Sequence, residues 1–175
     1  MAGQRGEVKA IASFLNVGNV KVNINSETQT PCVQCNGTSV SGLMSIAAYL
    51  ATCAGRTELV GQDARMQALI GQWLEYRVTE IDRCQGEKDE VTILKELNAY
   101  LSTRSYFVGY SFSLADLLLY YGLHKKVSGL TYQEKEKYLH LSRWFDHVQR
   151  IPNVRQQLAE VPFTLNRLYL GFVPH

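Results

Sequence analysis

The chain has 175 residues, of which 46% are hydrophobic and 19% are charged, and its formal net charge is +2. That balance is typical of a globular protein and excludes wholesale disorder. A protein that neutralises many phosphates usually carries a larger and more clustered positive surplus, so we expect no direct nucleic-acid partner. The most apolar stretch, residues 114–123, is too short to span a bilayer, and no signal-peptide pattern is present. We therefore expect a soluble intracellular protein.

The first 58 residues combine helical and strand patterns. Apolar side chains recur at helical spacing in residues 7–17, whereas residues 20–24 alternate apolar and polar side chains, as in a strand. Asn36-Gly37 is a strong hairpin turn signal. The elements that these patterns predict are, in order, a helix over 7–17, strands over 20–24, 31–35 and around Ser39, and a helix over 42–54.

From residue 62 onward the periodicity is helical, with no strand signal of any weight. Residues 114–125 are apolar on nearly every side, so we expect this helix to be the buried centre of a bundle. The other predicted helices lie over 63–82, 90–103 and 137–150, with a last short one capped by Asn153. The linker 54–62 is short, which predicts two domains, 1–58 and 62–175, that pack together.

The most specific local motif opens the central helix. Ser113 and Asp116 form the S-x-x-D pattern of a capping box, in which each side chain accepts a hydrogen bond from the other residue's amide. Phe112 and Leu117 occupy the two positions of a hydrophobic staple. We interpret Asp116 as a structural cap without a catalytic role, and its removal should cost about 1–2 kcal/mol.

This motif carries a resemblance to a known fold. The pattern G-x-x-x-S-x-A-D over residues 109–116 resembles the capping motif of the glutathione-transferase fold. Thr30-Pro31 resembles the cis-proline turn of that fold. The resemblance implies an α/β N-terminal part, which is a truncated thioredoxin-like domain, followed by an all-α C-terminal part.

Further motifs resemble one family within this superfamily, the small auxiliary subunits of the animal multi-tRNA-synthetase complex, or elongation factor 1 epsilon type. The segments that carry this resemblance are WLEYRV (73–78), LADLLLYYGLH (114–124), QEKEKYL (133–139), SRWF (142–145) and NRLY (166–169). It implies a non-catalytic scaffold that is cytoplasmic and also nuclear, with a role in the DNA-damage response. The partners it implies are methionyl-tRNA synthetase, glutamyl-prolyl-tRNA synthetase, other transferase-like subunits and the elongation factor 1 complex.

The alternative function is that of a glutathione-dependent transferase. Such an enzyme needs a hydroxyl or thiol in the loop after its first strand, and polar groups where a later helix holds glutathione. Here the chain opens on a helix near residue 7, so that the first strand and its loop are missing. Leu43 stands where the family places a glutathione-binding serine. Because two parts of the site fail independently, we predict no enzymatic activity.

No cofactor or metal site is predicted. Cys32 and Cys35 form C-x-x-C, but they lie along a predicted strand, where residues three apart point to opposite faces. We interpret them as structural cysteines, at least one of them in the core. A zinc site would need a second ligand pair, which Cys53, Cys84 and the scattered histidines do not supply.

The family resemblance also implies a first partner-binding surface, on helices 42–54 and 63–82. Two stripes share the second helix: Leu69, Trp73 and Tyr76 form one, and Met66, Ile70 and Arg77 form the other. We expect one stripe to face the bundle core and the other a partner. The sequence alone does not say which stripe has which role.

A second surface would use the helix that holds SRWF. Trp144 and Phe145 continue its apolar stripe and are predicted core residues. Arg143 beside them is carried over from the family as a partner contact, and a guanidinium suits bidentate pairing with a carboxylate. Asp82 is a weaker candidate for the same surface.

Overall fold

The structure is a computed structural model, and it describes residues 4–18, 20–25, 30–35 and 38–163. The Asn36-Gly37 turn and the NRLY segment therefore lie outside the described residues.

A small three-stranded antiparallel sheet and two helices form the N-terminal part. Its elements in chain order are α1 (Gln4–Phe14), β1 (Lys21–Ile24), β2 (Pro31–Cys35), β3 (Thr38–Ser41) and α2 (Leu43–Cys53). The strands lie in the order β1-β2-β3, with Val22, Val33 and Val40 opposite one another. Both helices pack against the sheet and against each other. The predicted order of helix, three strands and helix is confirmed.

The expected cis-proline turn is wrong, because the Thr30–Pro31 peptide bond is trans. Pro31 is the first residue of β2 and lies opposite Ile24. Its carbonyl accepts a hydrogen bond from the amide of Gly42 (2.9 Å). A trans bond continues the extended chain into the strand, where Pro is tolerated as the first residue, whereas a cis bond serves a tight turn.

The rest of the described chain is mainly helical. Its elements are α3 (Ala64–Tyr76) with a π-helical turn (Arg77–Ile81), α4 (Glu87–Tyr100), α5 (Leu114–Gly129), α6 (Tyr132–Lys137) and α7 (Leu139–Gln149). The apolar periodicity missed α6, which is polar and buries none of its residues. The short helix expected after Asn153 is wrong: the segment after Pro152 forms turns, and Asn153 has a left-handed φ of 63°.

The centre of the bundle is α5, as predicted. Its residues from Leu114 to Tyr121 are all buried, and α3 and α7 pack against it. Trp144 and Phe145 are also core residues, confirming their assignment. One cluster of buried side chains extends from Val8 in α1 to Val161, so the N-terminal part and the bundle share a core. Among the described helices, none is long and apolar enough to cross a membrane.

Candidate partner-binding surfaces

Asp116 is fully buried at the start of α5 and organises the surrounding chain. Its Oδ2 accepts hydrogen bonds from the amide (3.1 Å) and the hydroxyl (2.9 Å) of Ser113. Its Oδ1 accepts from the amide of Phe107 (3.0 Å) and from Trp144 Nε1 (2.9 Å). Burial raises the pKa of the Asp116 carboxyl, and the four hydrogen bonds oppose that rise. A carboxylate with no exposed surface is placed to hold structure together rather than to contact a partner.

The predicted staple residues lie close to this network. The ring of Phe112 packs edge-on against Phe14 of α1, with 6.0 Å between centroids, which joins the loop before α5 to the N-terminal part. Leu117 is fully buried in the core. The staple contact between Phe112 and Leu117 stays a prediction.

The structure separates the two stripes of α3. Ile70, Leu74 and Arg77 are buried on the side that faces α5, whereas Leu69, Trp73 and Tyr76 are half-buried. The core stripe is therefore the one that contains Ile70 and Arg77, and its first predicted member, Met66, is half-buried.

The half-buried stripe is largely occupied by contacts within the chain. The Trp73 ring lies 4.7 Å from that of Tyr100 and 4.6 Å from that of Phe107, centroid to centroid. The Tyr76 hydroxyl donates to Glu96 Oε2 of α4 (3.1 Å), and burial together with this carboxylate raises the pKa of Tyr76. Residues of α3 that are open to solvent, which apolar periodicity does not single out, include Arg65, Ala68, Gln72 and Glu75.

Arg143 is exposed on α7, yet its guanidinium already has partners within the chain. Its Nη2 donates to the carbonyl oxygens of Leu101 (2.9 Å) and Arg104 (2.7 Å), just beyond the end of α4. Arg104 in turn lies over the ring of Tyr100, 4.2 Å from its centroid. Two cations thus meet at the helix C-terminus, where the helix dipole favours positive charge.

The surface around Arg143 extends along α7. One turn beyond it, His147 Nε2 lies 2.8 Å from the hydroxyl of Tyr106. We call the exposed or half-exposed residues Arg104, Tyr106, Arg143 and His147 the Arg143 surface. The loop that supplies Tyr106 also carries Tyr110, whose side chain is 99% exposed. Sequence reasoning missed Arg104 and Tyr110, because neither belongs to a periodic pattern.

Asp82 lies away from this surface. It follows the π-helical turn at the N-terminal end of α4 and forms an ion pair with Arg77. Arg143 lies at the other end of α4, a helix of 14 residues that spans about 21 Å. The structure therefore does not bring Asp82 and Arg143 together on one patch.

The other candidate residues are held by local contacts. Cys32 is half-buried, with its Sγ 3.2 Å from the Ser39 hydroxyl, and it points away from the buried face that Val33 occupies. The side chain of Cys35 lies outside the described part of the chain. His124 Nε2 is 2.9 Å from the carbonyl oxygen of Ala159. In the described ranges no cluster of side chains could hold a metal ion.

Comparisons with known proteins place the chain among translation factors. A family model described as nuclear-export cofactor Arc1p matches residues 66–152. Human eukaryotic translation elongation factor 1 epsilon-1 is 50% identical over 156 residues, which cover 89% of each chain. The bifunctional glutamate/proline–tRNA ligase of Cricetulus griseus is 30% identical over 75% of this chain and 9% of its own length.

The solved structures agree on the architecture. Glutathione S-transferase isozyme E7 of Drosophila melanogaster superposes with a TM-score of 0.74 at 17% identity, covering 89% of this chain and 86% of that one. At that identity the likeness shows the fold alone. The chain therefore has the glutathione-transferase fold, with a truncated thioredoxin-like part before the helical part, as the resemblance implied.

Proposed function

This chain belongs to the eukaryotic translation elongation factor 1 epsilon-1 family, and we propose that it is a non-catalytic scaffold of the multi-tRNA-synthetase complex. The observation that carries the proposal is the double sequence relationship. The chain resembles an elongation factor along most of its length and also a short region of a glutamate/proline–tRNA ligase. A chain that shares one fold with a segment of a synthetase is suited to pair with such segments.

We propose two partner surfaces. The first is formed by α2 and the solvent-facing side of α3, and it would bind the transferase-like domain of methionyl-tRNA synthetase. Trp73 and Tyr76 support this surface from behind through their contacts with α4, and Leu69 lies half-buried in the same stripe. The second is the Arg143 surface, which would bind the corresponding region of glutamyl-prolyl-tRNA synthetase. Asp82 is not included in the second surface, because it lies at the opposite end of α4.

The Arg143 surface has the chemistry of a carboxylate-binding site. Nη2 of Arg143 is engaged with two carbonyl oxygens, which holds the guanidinium in place without satisfying all of its donors. A preorganised guanidinium loses little conformational entropy when it pairs with a partner's carboxylate. Arg104 adds a second positive charge beside it.

One feature of α2 supports a non-catalytic role over the alternative of a glutathione transferase. Leu43, at the first turn of α2, is buried and apolar, so it offers glutathione no hydrogen bond. Calorimetric titration with glutathione separates the two functions, since the scaffold should give no heat of specific binding.

The principal test is size-exclusion chromatography with light scattering. The protein would be run alone, and then with the transferase-like domain of methionyl-tRNA synthetase. A stable one-to-one complex is the expected result. A tight homodimer that does not bind this domain and is retained on glutathione resin would overturn the scaffold proposal.

The second surface is tested with Arg143→Ala. We expect binding to the glutamyl-prolyl-tRNA synthetase region to weaken about tenfold or more, equivalent to about 1.4 kcal/mol. Arg150→Ala is the matched control, because Arg150 is also an exposed arginine of this region and forms an ion pair with Asp146, four residues earlier in the chain. A folded Arg143→Ala protein with unchanged affinity would refute the assignment.

We propose a cytoplasmic location, which the relationship to translation elongation factors supports. Association with the elongation factor 1 complex, a nuclear role and a part in the DNA-damage response stay predictions from the family resemblance.

A further inference from the structure

One buried arginine interrupts the apolar interior between α3 and α5. Arg77 is only 3% exposed and begins the π-helical turn, in which its carbonyl accepts a hydrogen bond from the amide of Asp82 (3.0 Å). A π turn inserts one residue into a helix, and such turns are frequent at functional positions. Here Arg77 and Ile81 both point inward.

The guanidinium of Arg77 connects three elements. Its Nε donates to the carbonyl oxygen of Leu118 in the middle of α5 (3.2 Å). Its Nη2 donates to both carboxylate oxygens of Glu7 in α1 (3.0 and 3.2 Å). Its Nη1 forms an ion pair with Asp82. The side chain therefore crosses the central helix to reach the N-terminal part.

The central helix has a gap for this side chain. A Cβ atom at Gly122 would lie 1.8 Å from Arg77 Nε, so any larger residue would displace the guanidinium. Glycine in the middle of a helix costs about 1 kcal/mol relative to alanine. The space that the Arg77 side chain needs explains why glycine occupies position 122.

The contact with Glu7 joins the two parts of the molecule. Within the described ranges, the pair of Glu7 and Arg77 is the only ion pair between the residues before 58 and those after 62. Burial raises the pKa of Glu7 and lowers that of Arg77, which shows that desolvation opposes both charges. Buried ion pairs of this kind contribute little to stability, but they can specify one arrangement among several.

We propose that Arg77 is a positioning residue that fixes α1, and through it α2, against α3. Helix α1 packs on α2, and Arg77 lies directly after α3. The ion pair between Glu7 of α1 and Arg77 therefore sets the placement of α2 relative to α3, the two helices of the proposed first partner surface. The effect on partner binding rests on the proposed function, whereas the effect on α1 concerns this chain alone.

The first experiment measures amide hydrogen exchange in Arg77→Met and Glu7→Gln. We expect the amides of α1 and α2 to exchange about tenfold faster in both variants, and those of α7 to keep their wild-type rates. Arg150→Met, which replaces an exposed arginine, should leave the exchange rates of α1 and α2 unchanged. Wild-type exchange rates in α1 of the two variants, or the same acceleration in every helix, would overturn the proposal.

A further variant covers the case in which Arg77→Met does not fold, since it leaves the buried Glu7 without its partner. The double variant Glu7→Leu with Arg77→Met replaces the whole pair by apolar side chains, which proteins often tolerate. It should unfold at a urea concentration near that of the wild type while α1 still exchanges faster. Wild-type exchange in α1 of this variant would contradict the positioning role.

The second experiment measures partner binding by the same variants. We expect about tenfold weaker binding of the domain that docks on α2 and α3, with unchanged binding at the Arg143 surface. Loss at both surfaces, or at neither, would contradict selective positioning. If the wild type binds neither domain, the proposed function fails, and the exchange experiment still decides the role of Arg77.

Discussion

Replacing Asp116 by alanine tests how much of the bundle depends on one buried carboxylate. The substitution removes the acceptor for three N–H donors: the amides of Phe107 and Ser113 and the indole of Trp144. Each buried donor left without a partner costs about 1–3 kcal/mol. Loss of a charge whose burial is itself unfavourable offsets part of the sum. We therefore expect a destabilisation of about 3–5 kcal/mol, more than the 1–2 kcal/mol of a cap alone.

Urea unfolding followed by far-UV circular dichroism gives the free energy of unfolding. The midpoint should fall while the slope of free energy against urea stays constant. Ser113→Ala is the matched control, because it removes only the hydroxyl contribution to the cap and should cost about 1 kcal/mol. If Asp116→Ala cost no more than Ser113→Ala, the contacts with Phe107 and Trp144 would be energetically irrelevant and the reasoning would fail.

Three further predictions concern stability. Asn98→Ala should lower it by about 1–2 kcal/mol in urea unfolding, because Asn98 Oδ1 accepts from the amides of His140 (2.9 Å) and Leu141 (3.1 Å) at the start of α7; Asn98→Asp, which keeps the acceptor, should not. Gly122→Ala should lower the free energy of unfolding by about 2–3 kcal/mol, because the added methyl group displaces Arg77. Gly129→Ala, where the added Cβ meets open space, should leave stability unchanged or raise it, and calorimetry measures both variants. Burial raises the pKa of Glu7 in the folded state, so the stability that Glu7 contributes is fully present below its unfolded-state pKa and is lost as pH rises through the folded-state pKa. The free energy of unfolding of the wild type should therefore increase relative to that of Glu7→Gln as pH falls from about 7 to about 4. A relative decrease over this range would contradict the prediction.

The pattern along the chain was enough to predict most of the fold. The alternation in residues 20–24 and the apolar run of α5 specify a strand and a buried helix, because each pattern satisfies only one backbone geometry. The capping box at Ser113 and Asp116 is likewise a local device, with both partners within one turn. Short segments such as residues 114–124 also indicated the family relationship.

The arrangement of the proposed partner surfaces depends on contacts between distant residues. Both stripes of α3 have helical periodicity, so only packing against α5 and α4 decides that Arg77 lies inside while Trp73 is half-buried. Asp116 binds Trp144, 28 residues away, and Arg143 binds Leu101, 42 residues away. Local patterns carry no information about such pairs, because they form only when helices far apart in sequence meet in the folded core. Sequence by itself thus determined most of the elements and the family, and tertiary packing decided which faces remain open to solvent.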